Sequence, residues 1–147
     1  MAKKVFKTGA FNRSAIPPPS ILSVHRAAAV KEATPVRARG AGHLIYISSV
    51  SGLFADVLGA AYQAAKRGLL GLAHAIRVEE KENGIRTCVV CPGLVNTEIL
   101  DRRPVKPSAE TLAKALRPED VAETVLAVAR LPPRVCVPEM QIVPTYL

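Results

Sequence analysis

Two short apolar runs, separated by one long helical stretch, set the frame of this 147-residue chain. The first run, His43-Leu44-Ile45-Tyr46-Ile47-Ser48-Ser49, ends in hydroxyls and a turn, Val50-Ser51-Gly52. Leu44 to Ser48 is apolar and β-branched without alternation, which predicts a strand buried on both faces. Gly59 to Glu82 predicts the longest helix. Ala60, Ala61, Ala64, Ala65, Gly68, Gly71 and Ala75 make one side of it small, while Glu79 to Glu82 form a solvated end. Asn83-Gly84 supplies the helix stop, and Ile85 to Cys91 reads as a second buried strand. Strand, helix, strand in this order implies a right-handed parallel crossover. Beyond it, Glu98 to Glu110 is polar and interrupted by prolines, and Thr111 to Leu116 predicts a short helix. Pro118 with Glu119-Asp120 opens a further helix through Arg130. Val135 to Pro138 and Met140 to Val143 predict a closing strand.

The front of the chain has a different character. Residues 1–42 carry eight Lys/Arg and one acid, whereas residues 43–147 carry twelve and eleven. The net charge of +8 therefore belongs almost entirely to the front segment. The chain accordingly divides into a basic, proline-containing arm, 1–35, and a nearly neutral domain, 36–147. With aromatics at 4%, the domain has no base-stacking surface, and the charge distribution argues against a nucleic-acid or membrane-binding fold. Nothing approaches the ~20 apolar residues that span a bilayer. An odd cysteine count, Cys88, Cys91 and Cys136, fits a reducing, cytoplasmic setting. Cys88-x-x-Cys91 has no second ligand pair and lies inside a strand, so both read as small buried hydrophobes. His25, His43 and His74 have no partner motif, and no metal site emerges.

The candidate chemistry is Tyr62-Gln63-Ala64-Ala65-Lys66 on the long helix. Residues four apart stack on one helix face. A phenol is a poor proton carrier at neutral pH, and a nearby cation favours its ionised form. An upstream serine would complete a proton-transfer site. In open parallel sheets, ligands bind beyond the carboxyl ends of the strands. Ser49 and Pro92-Gly93 both fall at such ends, so the two motifs should face one crevice.

Ser49, Tyr62-x-x-x-Lys66 and the run Cys91-Pro92-Gly93-Leu94-Val95-Asn96-Thr97 together resemble the short-chain dehydrogenase/reductase family. Tyr-x-x-x-Lys alone is weak, but the ordered set of strand, serine, helix, turn, strand and Pro-Gly motif is specific. The resemblance implies an α/β fold: a partial Rossmann-like, doubly wound parallel sheet that lacks the N-terminal dinucleotide-binding half. It implies NAD- or NADP-dependent hydride transfer between a small-molecule alcohol and a carbonyl. Tyr62 would be the acid/base, Lys66 would lower the phenol's pKa and hold the nicotinamide ribose, and Ser49 would bind the substrate oxygen. Pro92, Gly93, Val95 and Thr97 would contact the nicotinamide side of the cofactor. Residues 98–110 would form a substrate lid, and the 59–82 helix a homo-oligomer interface.

Near the start, Lys7-Thr8-Gly9-Ala10 faintly resembles the family's glycine loop. Arg13 and Ala15 stand where its later glycines belong, and Pro17-Pro18-Pro19 breaks the helix that should follow. No asparagine stands near Ile21 to Arg26, where the family's fourth catalytic residue would fall. The expectation is thus a chain with a shortened front, whose missing strands leave an apolar sheet edge that aggregates or takes a partner. Two other readings stay open. One is a non-catalytic remnant acting through dimerisation, and the other a binding protein acting through the basic arm.

Overall fold

A computed structural model describes residues 35–55 and 59–146 of the chain. The glycine-loop-like segment, the triple proline and nearly all of the basic arm lie outside the described residues. Strand β1 (Gly42–Ile47) leads to helix α1 (Ala60–Glu79), strand β2 (Ile85–Pro92), helices α2 (Ala109–Lys114) and α3 (Pro118–Ala129), and strand β3 (Glu139–Ile142). Short 3₁₀ turns occupy Val50–Gly52, Lys81–Asn83 and Glu98–Arg102. Among the described residues the sheet has three strands in the order β1-β2-β3, with both pairings parallel. Ile47 stands opposite Val90, and Pro92 opposite Ile142. The carboxyl ends of all three strands therefore open on the same side, as the crossover argument requires.

The core has two layers, one on each face of the sheet. Ala73 of α1 packs with Val89 and Cys91, joined by Tyr46, Leu53 and Leu70. Val128 of α3 packs with Cys88 and Val90, joined by Ile45, Val125 and Met140. Cys88 and Cys91 thus point to opposite faces and cannot bridge or share an ion, which fits their reading as small hydrophobes. Burial raises both thiol pKa values above the ordinary cysteine value. Among the described residues, no group of three or more His, Cys, Asp or Glu is placed to hold a metal.

Three sequence expectations change. The long helix is α-helical only to Glu79; Lys81–Asn83 continue as a 3₁₀ turn, stopped by Gly84 in the left-handed region at φ 66°. Gly84 also packs too closely for any side chain, because a Cβ there would lie 2.7 Å from the Gly40 carbonyl oxygen. The closing strand is only Glu139–Ile142, since Val135 to Pro138 stay irregular. The third change concerns β1, which is half-buried throughout and not buried on both faces, with Ile47 44% exposed. Its neighbour β2 is the fully buried strand, with Cys88, Val89, Val90 and Cys91 all at 0%. Among the described residues β1 is hydrogen-bonded on one side only, so it has half the lateral cover of β2.

The solvated end expected at Glu79 to Glu82 is also corrected, because a part-buried ion pair at Glu80 fixes the end of α1. Glu80, 1% exposed, receives both Nε and Nη2 of Arg37 and, at 2.8 Å, the side-chain amide of Asn83. Arg37 lies just before β1, so this pairing ties the start of β1 to the turn that starts β2.

Candidate active site

The first structural requirement is that the serine turn and the tyrosine helix meet closely, and Gly52 allows it. A Cβ on Gly52 would come within 3.0 Å of the Lys66 carbonyl carbon and oxygen and of Ser48 Oγ. Ser48 Oγ donates to the Lys66 carbonyl at 2.8 Å, and Arg67 Nη2 donates to the Leu53 carbonyl at 2.8 Å. Residues 48–53 are thereby bolted to one turn of α1, and Tyr62 and Lys66 inherit that position.

Ser49 caps the 3₁₀ turn: its Oγ accepts from the Ser51 backbone N–H at 3.2 Å. With the oxygen engaged as acceptor, the hydroxyl proton can be donated elsewhere. Tyr62 and Lys66 lie on the same side of α1, with Lys66 Nζ 5.7 Å from the Tyr62 ring centroid. The same Nζ donates to the Ile47 carbonyl at 3.2 Å, where β1 ends. An ammonium has three donors, and this bond uses one of them.

The second motif reaches the same place from β2. Gly93 N–H donates to the Ile142 carbonyl at 2.8 Å, and a Cβ on Gly93 would lie 3.1 Å from Pro144 Cδ and 3.3 Å from Val143 Cγ1. The close approach made by this glycine is thus to the chain leaving β3. Val95 forms an isolated parallel bridge with Leu116, closed by Leu116 N–H to the Leu94 carbonyl at 3.0 Å. That bridge turns the segment after Gly93 back across the strand ends.

These elements enclose a cleft of about 480 Å³ lined by Ser49, Tyr62, Pro92, Gly93, Val95 and Thr97, among others. Every residue singled out from sequence borders it except Lys66, which stands behind Tyr62 and Ile47. Ser49 is 9% exposed and Tyr62 41%, so the serine lies at the floor and the phenol at an open rim. A larger cavity of about 680 Å³ lies on the other side of Thr97, Ile99 and Leu100. It holds none of the serine, tyrosine or lysine groups, so the chemistry belongs to the smaller cleft.

Sequence reasoning left four contributors unnamed, although one of them, Arg103, lies in the 98–110 segment expected as a lid. Gly52 and Ser48 set the distance between turn and helix, and the dipeptide pattern Ser-Gly in a turn was their only signal. Arg103 and Thr111, from the polar stretch after β2, also line the cleft. The Val95–Leu116 bridge, which no local pattern announces, joins the segment after β2 to the residues that follow α2.

The description "short chain dehydrogenase" matches residues 23–107 of this chain. A dehydrogenase/reductase SDR family protein 7-like from Drosophila melanogaster is 34% identical over 110 residues, covering 70% of this chain and 34% of that protein. Among solved structures, a β-ketoacyl-[ACP] reductase from Bacteroides thetaiotaomicron superposes with TM-score 0.58 at 29% identity, covering 78% of this chain and 46% of that one. A closed form of serine dehydrogenase complexed with NADP+ has the same fold, with TM-score 0.64 at 24% identity, covering 82% and 53%. The chain thus spans between a third and a half of the length of these proteins. No helix among the described residues is long and apolar enough to cross a membrane.

Proposed function

We propose, for a chain that belongs to the short-chain dehydrogenase family, that its cleft binds the nicotinamide end of NAD or NADP beside an alcohol or carbonyl. The observation that carries this reading is the convergence of Ser49, Tyr62, Pro92, Gly93, Val95 and Thr97 on one cleft from three separate parts of the chain. The lining suits the group. Pro92, Leu94 and Val95 offer apolar wall to a flat ring, and Thr97 offers a hydroxyl at its edge. A nicotinamide held there supplies a hydride to a carbonyl carbon or accepts one from an alcohol.

The chain's own residues handle the oxygen and its proton. Ser49 Oγ, its lone pair engaged by the Ser51 N–H, donates its proton to the substrate oxygen. Tyr62 gives a proton to that oxygen during reduction and removes it during oxidation. Lys66 is anchored by the Ile47 carbonyl and keeps its remaining donors for a ribose hydroxyl.

The experiment is a panel of ketones and aldehydes assayed with NADH and NADPH, comparing the full chain with Tyr62→Phe and Lys66→Met. Both variants should keep the wild-type circular dichroism and lose at least ~100-fold in turnover. Turnover in Tyr62→Phe equal to wild type would overturn the acid/base role.

A second reading draws on the outer side of α1. A Cβ built on Gly68 or Gly71 meets nothing within 4 Å, and Ala61, Ala64 and Ala65 are exposed beside them. A second copy of this helix would pack closely there, which favours a homo-oligomer with or without catalysis. Light scattering of the full chain against Gly68→Arg tests it: the wild type should be dimeric or larger and the variant monomeric. A monomeric wild type removes the reading.

A further inference from the structure

We propose that Arg103 makes the cleft selective for substrates that carry an anionic group, a carboxylate or a phosphate, in addition to the reacting alcohol or carbonyl. The inference rests on the reading of the cleft as the place where that alcohol or carbonyl reacts. It starts from a charge imbalance. Among the described residues, Arg103 is the only charged side chain lining the cleft; the rest of that lining is hydroxyl-bearing, apolar or glycine. Its guanidinium makes no ion pair and no side-chain hydrogen bond among the described residues.

Two of the acids near it in sequence are already occupied. Asp101 takes Lys106 Nζ at 3.0 Å, and Glu110 takes Lys114 Nζ at 2.7 Å. Two carboxylates that flank Arg103 in sequence are thus held by lysines, and the arginine is left facing the cleft. Its backbone is fixed as well. Arg103 N–H donates to the Leu100 carbonyl at 3.2 Å, and Leu100, 6% exposed, anchors the Glu98–Arg102 turn in the interior. The side chain is half-buried, so it is held against the cleft and not extended into solvent.

A guanidinium is a rigid fork of N–H donors that fits carboxylate and phosphate oxygens bidentately. Partly desolvated and without a protein partner, it gains most from a ligand that brings the missing charge. Thr111 also lines the cleft, its hydroxyl sharing a 3.0 Å hydrogen bond with Ser108 Oγ. The cofactor's own phosphates share this chemistry, so the test must separate the two sources.

The experiment follows backbone amide and arginine Nε resonances of the full chain during titration with lactate, 3-hydroxybutyrate and 4-hydroxybutyrate. The three corresponding uncharged amides are titrated in parallel, and so is NADPH. Proteins compared are wild type, Arg103→Gln and Arg103→Lys. At least one acid should move the Ser49, Thr97 and Arg103 signals and bind about tenfold or more tightly than its amide. Added salt should weaken that acid and leave the amide unaffected. Arg103→Gln should erase the preference, and Arg103→Lys should restore part of it. Equal binding of acids and amides by wild type would overturn the proposal while leaving the cleft reading intact. If Arg103→Gln weakens NADPH and leaves the acids unchanged, the guanidinium serves the cofactor and the proposal fails. If neither the hydroxy compounds nor NADPH move any cleft resonance, the reading of the cleft falls, and the proposal with it.

Discussion

β1 and β2 are adjacent, parallel and similarly apolar in sequence, yet they end in different environments. β2 has a strand on each side and a helix on each face, and its central residues are sealed. β1 has the same helix above it but, among the described residues, a strand on one side only, and each of its positions keeps contact with solvent. The difference shows that hydrophobic content specifies a strand, while neighbours decide how deeply it is buried. It matters for function because the cleft is built across the ends of both: Ser49 leaves the exposed strand and Pro92-Gly93 the sealed one. The serine side of the site therefore follows the more exposed strand, and the Gly52–Lys66 and Ser48–Lys66 contacts tie it to α1.

The sharpest test of that contrast is a matched truncation. Ile85 on β2 is 2% exposed, and Ile85→Ala should cost about 3 kcal/mol in urea unfolding. Ile45→Ala on β1 should cost about 1–2 kcal/mol, and Ile47→Ala less than ~1 kcal/mol. Equal losses at the three sites would break the comparison.

Two glycines on and around α1 give a second, smaller contrast of opposite sign. Gly52→Ala forces a methyl against the Lys66 carbonyl and should destabilise by about 1–3 kcal/mol while shifting the Tyr62 ring resonances. Gly68→Ala meets open space in the middle of a helix and should stabilise by about 0.5–1 kcal/mol, read as a higher Tm. A Gly52→Ala protein as stable as wild type would mean that the turn is not held against the helix.

Thiol chemistry separates surface from core without changing stability. Cys136 is exposed, whereas Cys88 and Cys91 are sealed in β2 with their pKa values pushed up by burial. A thiol reagent at neutral pH should modify one cysteine quickly and two only on unfolding. Three fast equivalents would show that the faces of β2 are open.

The smallest effect is a pH dependence at the start of β1. Burial, aided by the Arg86 charge beside it in the ladder, lowers the His43 pKa below the usual 6.5, and neither ring nitrogen has a hydrogen-bond partner among the described residues. The unfolded chain therefore takes up the proton first. This contribution is complete above pH 6.5 and is lost as pH falls through 6.5 towards the folded value. Tm measured between pH 8 and pH 5 should drop more in wild type than in His43→Phe, and parallel curves would exclude it.

Much of this was legible from sequence because it is local. The i, i+4 spacing of Tyr62 and Lys66, the Asn83-Gly84 stop and the parallel crossover each follow from a few neighbouring residues. Ser49 and Pro92-Gly93 were brought together by one topological rule about strand ends. What escaped was non-local. Arg103 meets Ser49 and Thr97 in one cleft through the tertiary fold, and the incomplete burial of β1 depends on what lies beside it and not on its own residues. The irregular path of Val135 to Pro138 has a similar cause. Arg86 Nη1 collects the carbonyls of Leu131, Pro132 and Val135, at 3.2, 3.0 and 2.6 Å, and this cluster holds the approach to β3 in a loop.

The central claim is that the ends of β1 and β2 form one nicotinamide site. Titration of the isotope-labelled full chain with NADH and NADPH, followed by backbone amide resonances, addresses it most directly. The account predicts that at millimolar cofactor the largest shifts cluster at Ser49, Tyr62, Gly93 and Thr97, with α3 unchanged. A spectrum that does not respond, or shifts concentrated on α3 and β3, would contradict it.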